Sequence, residues 1–185
     1  DGVTQIRDGA FYQLTSLTNI TIPSSVISIG THAFYNCINL DSISLPEGLT
    51  TVGEGAFWEC NKLRSVRLPK SLTTIKSTGF AHCRSFTTIE IPAGATSVES
   101  AAFRGCTGLT TIITSSASGV YGGNIFEYCS GIKKIIVPEG TVSIKNYAFS
   151  TDFASVTSVI IPNSVTSIGD NALYKCAGID SLYLP

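Results

Sequence analysis

Proline recurs in this chain at a nearly fixed interval, and that interval decides what the chain can fold into. The chain's prolines are Pro23, Pro46, Pro69, Pro92, Pro138, Pro162 and Pro185, and there are no others. Successive spacings are 23, 23, 23, 46, 24 and 23 residues, the long one being two periods. A period of this size belongs to one supersecondary unit stacked many times, because no single unit can bury its own apolar face.

Counted from each proline, the unit reads V-x-x-I-G-x-x-A-F-x-x-C-x-x-L-x-x-I-x-I-P. Val26, Ile29, Gly30, Ala33, Phe34, Cys37, Leu40, Ile43, Leu45 and Pro46 fit it in order. Leu49, Val52, Gly53, Ala56, Phe57, Cys60, Leu63, Val66, Leu68 and Pro69 follow the same frame, as does the last copy from Val165 to Pro185. One unmarked unit ends at Ser115, where Thr114 replaces the last apolar residue of the strand. Eight units account for residues 1–185 as one solenoid, expected to be a fragment of a longer array.

The segment before each proline alternates apolar and polar residues, the pattern of a half-buried strand. Proline ends it because it brings no N–H to a ladder. The middle of the unit predicts one helical turn. Asp8, Thr31, Ser77, Ser100, Asn146 and Asp170 stand where an N-cap would, and Ala, Phe and Cys then share one inward face. Phe fills its column at positions 11, 34, 57, 80, 103, 126 and 149, with Leu173 in the eighth. The turn before each helix carries Gly30, Gly53, Gly122 and Gly169, but also Arg7, Lys76, Glu99 and Lys145. A column that accepts Lys and Glu does not require a left-handed backbone, so it reads as an exposed turn.

The unit resembles the BspA-like leucine-rich repeats of bacterial and protozoan cell-surface proteins, through I-P-x-x-V-x-x-I-G-x-x-A-F-x-x-C-x-x-L across the whole chain. The resemblance implies an α/β fold: a right-handed solenoid with a parallel strand ladder on its concave side and short helical turns. It further implies extracellular display on a cell surface and adhesion to a host or matrix protein, or to another cell-surface protein. It brings no catalytic residues and no cofactor.

Composition narrows function by exclusion. Charged residues are 14%, below the roughly 25% of ordinary domains, so Ser and Thr supply much of the polar surface. A net charge of −1 without a basic cluster argues against nucleic acid or anionic membrane as partner. No apolar run approaches the ~20 residues of a membrane span. The six cysteines, Cys37, Cys60, Cys83, Cys106, Cys129 and Cys176, share one column. One thiol per rung does not converge on a metal, and the column reads as small apolar side chains filling a core. Leu14 and Asp152 hold that position in the other two units; the extra residue of the seventh unit predicts Phe153 inside and Asp152 outside. Val3, Ile6, Leu182 and Leu184 are expected to leave the rung ends uncovered. His32 and His82 have no nucleophile beside them in sequence, and no enzyme activity is expected.

Binding surfaces are better supported. Two residues before each proline, an outward strand column reads Thr21, Ser44, Arg67, Glu90, Ile113, Ile136, Ile160 and Tyr183. Arg67 and Glu90 belong to its polar half. The four large apolar residues that follow mark either an interaction surface or a face covered by a flanking segment. On the turn side, one residue past the Phe column, Tyr12, Tyr35 and Trp58 occupy successive units. They could stack on a glycan or pack on each other. The Gly/Ser-rich run Ser115–Gly123 predicts an excursion from the solenoid, and Asn19-Ile20-Thr21 is a glycosylation sequon.

Overall fold

A computed structural model of the chain describes residues 2–114, 120–121, 125–144, 146, 149 and 155–184. The alternating segments before the prolines form strands that stack in parallel. Thr88–Ile91, Thr111–Thr114, Lys134–Ile136, Ser158–Ile160 and Ser181–Tyr183 make a long ladder. Asn19–Thr21 and Ser42–Ser44 pair in the same columns, and Ser65 bridges to Ser42 one rung on. A second, short ladder joins two-residue strands from Gln5–Ile6 to Val120–Tyr121 in six rungs. Each register step equals one repeat, as where Ile29 lies opposite Val52 and Val52 opposite Ile75.

The fold is thus a parallel-strand β-solenoid of about seven turns. The α/β class and the short helical turns are corrected, because the described residues contain no helix. Parts of the sixth and seventh units lie outside the described residues, so eight units are not traced as complete turns. Within the Gly/Ser-rich run, Val120–Tyr121 sits in the short ladder beside Ser97–Val98. The rest of that run, and the placement of Asp152 and Phe153, lie outside the described residues.

In place of a helix, each unit makes consecutive β-turns. Ala10 N–H donates to the Arg7 carbonyl, Tyr12 to Gly9 and Leu14 to Phe11. The intervening amides of Gly9, Phe11 and Gln13 donate to Thr31, Ala33 and Tyr35 of the next rung. The first and third of these turns have positive φ at their third residue, as type II turns require. Gly9 and Gln13 supply it, as do His32 and Asn36, Gly55 and Glu59, and Thr78 and His82. Left-handed non-glycine residues cost roughly 1–2 kcal/mol each, and the inter-rung bonds offset that cost. An i, i+3 pattern of inward residues serves either backbone, so the sequence pattern did not separate turn from helix.

The expected N-caps therefore cap no helix. Asp8 Oδ1 accepts the Thr31 amide of the next rung at 2.7 Å, and Asn146 Oδ1 accepts the Asp170 amide at 2.9 Å. Gly30 and Gly53 are not left-handed, as read from sequence, but Gly53 is buried rather than exposed. A Cβ there would come within 2.5 Å of the Gly30 carbonyl carbon.

The core runs along the axis as stacked columns. Phe34 and Phe57 lie 5.1 Å apart at 4°, and Phe57 and Phe80 5.0 Å apart at 3°. All six cysteines are buried and free of disulfides. Low charge is explained by where the hydroxyls go. Thr50, Thr73 and Thr110 donate to the Ile27, Thr50 and Thr87 carbonyls of the preceding rung. Ser71 and Ser155 do the same to Leu49 and Ile132 at 2.7 Å. At the ends, Val3, Leu182 and Leu184 are exposed, whereas Ile6 is buried because it joins the continuous core.

Candidate functional site

The strand alternation that buries Ile89, Ile112, Ile135 and Val159 turns the residues after them outward. The long-ladder register sets Glu90 opposite Ile113, Ile113 opposite Ile136, Ile136 opposite Ile160, and Ile160 opposite Tyr183. The expected column is therefore one row of neighbouring side chains at a rung spacing of about 4.8 Å. Ile113, Ile136 and Ile160 are half-buried and Tyr183 is 64% exposed. Thr21, Ser44, Arg67 and Glu90 are exposed on the earlier rungs. Arg67 pairs with Glu47 at 2.6 Å, and both side chains are largely in solvent.

Two shallow depressions, each of about 300 Å³, flank Glu90 and Ile113. The first is bounded by Arg67, Leu68 and Lys70, the second by Ala93, Pro138 and Glu139; Pro92 borders both. Glu139 escaped the sequence reading, and Pro92 and Pro138 entered it only as strand ends, because it followed strand columns and not the surface beside the turns.

On the turn side, Tyr12 and Tyr35 stack at 4.9 Å and 7°, and Trp58 lies 5.9 Å from Tyr35, tilted by 46°. The stacked faces of Tyr12 and Tyr35 cover one another, so between them they turn edges to solvent. A sugar ring needs a free face, and the stack removes only the faces between Tyr12 and Tyr35. Beyond Trp58 the row leaves its sequence column. Ala81 is buried, and Trp58 meets the His82 ring at 5.9 Å instead. Arg104 then lies 4.9 Å from the centre of the Tyr128 ring and 3.4 Å from Glu127. Burial, with the Arg84 and Arg104 charges, lowers the His82 pKa from its ordinary value despite the opposing pull of Glu59. His82 was missed because the left-handed turn brings a neighbouring column onto the row.

Among the described residues, no group of three or more His, Cys, Asp or Glu side chains could hold a metal ion. No described helix is long and apolar enough to cross a membrane.

A family model described as the BspA type leucine rich repeat region, of six copies, matches residues 4–133 and 73–185. The chain belongs to the BspA-type leucine-rich repeat family. No curated protein sequence matches this BspA-type solenoid. Among solved structures it is similar to a leucine-rich repeat protein of T. pallidum, with TM-score 0.69 and 25% identity over 88% of this chain and 78% of that one. A leucine-rich repeat protein from Eubacterium ventriosum aligns at TM-score 0.67 and 25% identity, covering 91% of this chain and 45% of the other. The pneumococcal vaccine antigen PcpA shares the fold at TM-score 0.60 and 20% identity, over 90% of this chain and 39% of its own.

Proposed function

We propose that this solenoid is a cell-surface binding module that presents its long ladder to a protein partner. The observation that carries the reading is the in-register row Ile113, Ile136, Ile160 and Tyr183, four large apolar side chains at the solvent face of a rigid sheet. Fully covering an exposed side chain of this kind is worth about 1.5–3 kcal/mol. Ile113, Ile136 and Ile160 are already half-buried, so each offers a partner only part of that, and the row acts as one contiguous patch. Membership of a family whose resemblance implies surface display supports the location. Immobilised matrix and surface proteins should bind the chain saturably, and Ile136→Asp should abolish that binding, with a thermal melt showing that the variant remains folded at the assay temperature. Saturable binding that survives Ile136→Asp would remove the ladder from the reading.

A second reading, a structural spacer holding other parts of a surface protein away from the cell, is favoured by the uninterrupted Phe stack and the hydroxyl–carbonyl links between rungs. A spacer binds none of those proteins, with or without Ile136.

A further inference from the structure

The apolar row has acidic charge at one end, and the second depression shows what that charge faces. Glu90 begins the row, opposite Ile113 in register. Glu139 reaches the same depression from the turn after Pro138, and no basic residue lines it. Pro92, Ala93, Ile113 and Pro138 supply apolar wall, and Gly140 and Thr141 complete the lining beside Glu139. Neither carboxylate takes part in an ion pair among the described residues. The first depression differs, because Arg67 and Lys70 line it together with Glu90. Pro92 and Pro138 close the units on either side of the one whose closing residue is Ser115.

A concavity with apolar walls and two unpaired carboxylates is complementary to a side chain with an aliphatic stem and a cationic head. We propose that the long ladder receives a basic–apolar segment of a protein partner. One Arg or Lys seats between Glu90 and Glu139, its stem against Ile113 and the two prolines. The apolar residues beyond it lie along Ile136, Ile160 and Tyr183. Arg is favoured over Lys, since its planar head engages carboxylates bidentately and is more weakly hydrated. Lys134, outward on the strand of Ile136, with Lys133 at its foot, gives the opposite flank positive charge. A matching segment therefore carries an acid on that side, and a uniformly basic segment is disfavoured. This assignment rests on the ladder being the binding face.

The test uses short fluorescent peptides with one Arg ahead of alternating leucines, and the same peptides with Glu in place of Arg. The Arg peptide should bind the intact chain, more weakly as salt rises. Glu90→Gln with Glu139→Gln should weaken it about tenfold, the worth of one charged hydrogen-bonded contact. Glu90→Lys with Glu139→Lys should reverse the preference toward the Glu peptide. Both glutamates border open solvent, so a thermal melt should show the variants folded. Equal binding of both peptides, lost in Ile136→Asp but indifferent to the glutamates, would overturn the cationic seat and leave the apolar ladder standing. No binding of the Arg peptide to the intact chain would overturn the proposal outright, and matrix-protein binding still sensitive to Ile136→Asp would then show that the ladder reading had not failed with it.

Discussion

The Cys60 thiol donates to the carbonyl oxygen of Phe34 at 3.2 Å, across the gap to the preceding rung. That oxygen already accepts the Cys37 amide of its own turn at 3.2 Å, so the thiol uses its second lone pair. The relation repeats in all six cysteines, from Cys37 on Phe11 to Cys176 on Phe149. The column is therefore more than apolar filling. It is a ladder of weak donors that tie each β-turn to the rung before it.

Removing one such donor leaves a buried carbonyl lone pair unmatched and a small void. Cys83→Ala should destabilise the chain by about 1–2 kcal/mol, read from the urea midpoint at unchanged slope. Native thiols should resist a disulfide reagent at pH 8 and all react once denaturant is added, since reactivity needs thiolate and access.

Burial also links these thiols to pH. Desolvation raises the Cys176 pKa from 9.0 to about 11, and pushes Cys83 well above its ordinary value. The folded state keeps protons that the unfolded chain releases, so the unfolded chain binds fewer protons in that range. Stability should be at its full value below pH 9 and fall progressively as pH rises toward 11, which urea titrations across that range measure.

Phe57 stacks on both Phe34 and Phe80 and is fully buried. Phe57→Ala should cost about 3–5 kcal/mol. Phe11, half-buried and stacked on one side only, should cost less under the same substitution, and paired melts would rank the two.

Thr78 holds φ of 56°, a β-branched residue where Gly9 and Gly55 stand in other units. Thr78→Gly relieves that strain of about 1–2 kcal/mol but loses the Thr78 hydroxyl's bond to the Ser77 carbonyl and adds unfolded-state freedom. Its net effect should be small, whereas Gly53→Ala should cost about 1–3 kcal/mol because its Cβ meets neighbouring backbone. The larger loss at Gly53 in one thermal-melt comparison is the expected result.

Trp58, the single tryptophan, lies 5.9 Å from the His82 ring. A protonated imidazole quenches indole emission, so fluorescence should drop on acidification with a midpoint below 6.5, the lowered pKa setting the direction. His82→Ala should remove that step.

Period, strand columns and inward faces were legible in the sequence because each is a local matter of spacing and polarity. Proline marked the end of the Ser42–Ser44 strand segment, and alternation put Ile43 inside and Ser44 outside without reference to any other rung. The row Ile113, Ile136, Ile160 and Tyr183 could be written down in the same way, since a fixed period makes equal positions neighbours. What the packed rungs alone decided is what each polar group bonds to. Asp8 reads as a helix cap until Thr31 of the next rung takes its carboxylate, and Cys60 reads as apolar until the Phe34 carbonyl stands above it. Turn or helix was likewise settled between rungs, because amides such as those of Phe11 and Gln13 find partners only when Ala33 and Tyr35 are stacked beside them. The passage of the aromatic row from Trp58 to His82 and the lining of one depression by both Glu90 and Glu139 depend on backbone turns that no spacing rule encodes.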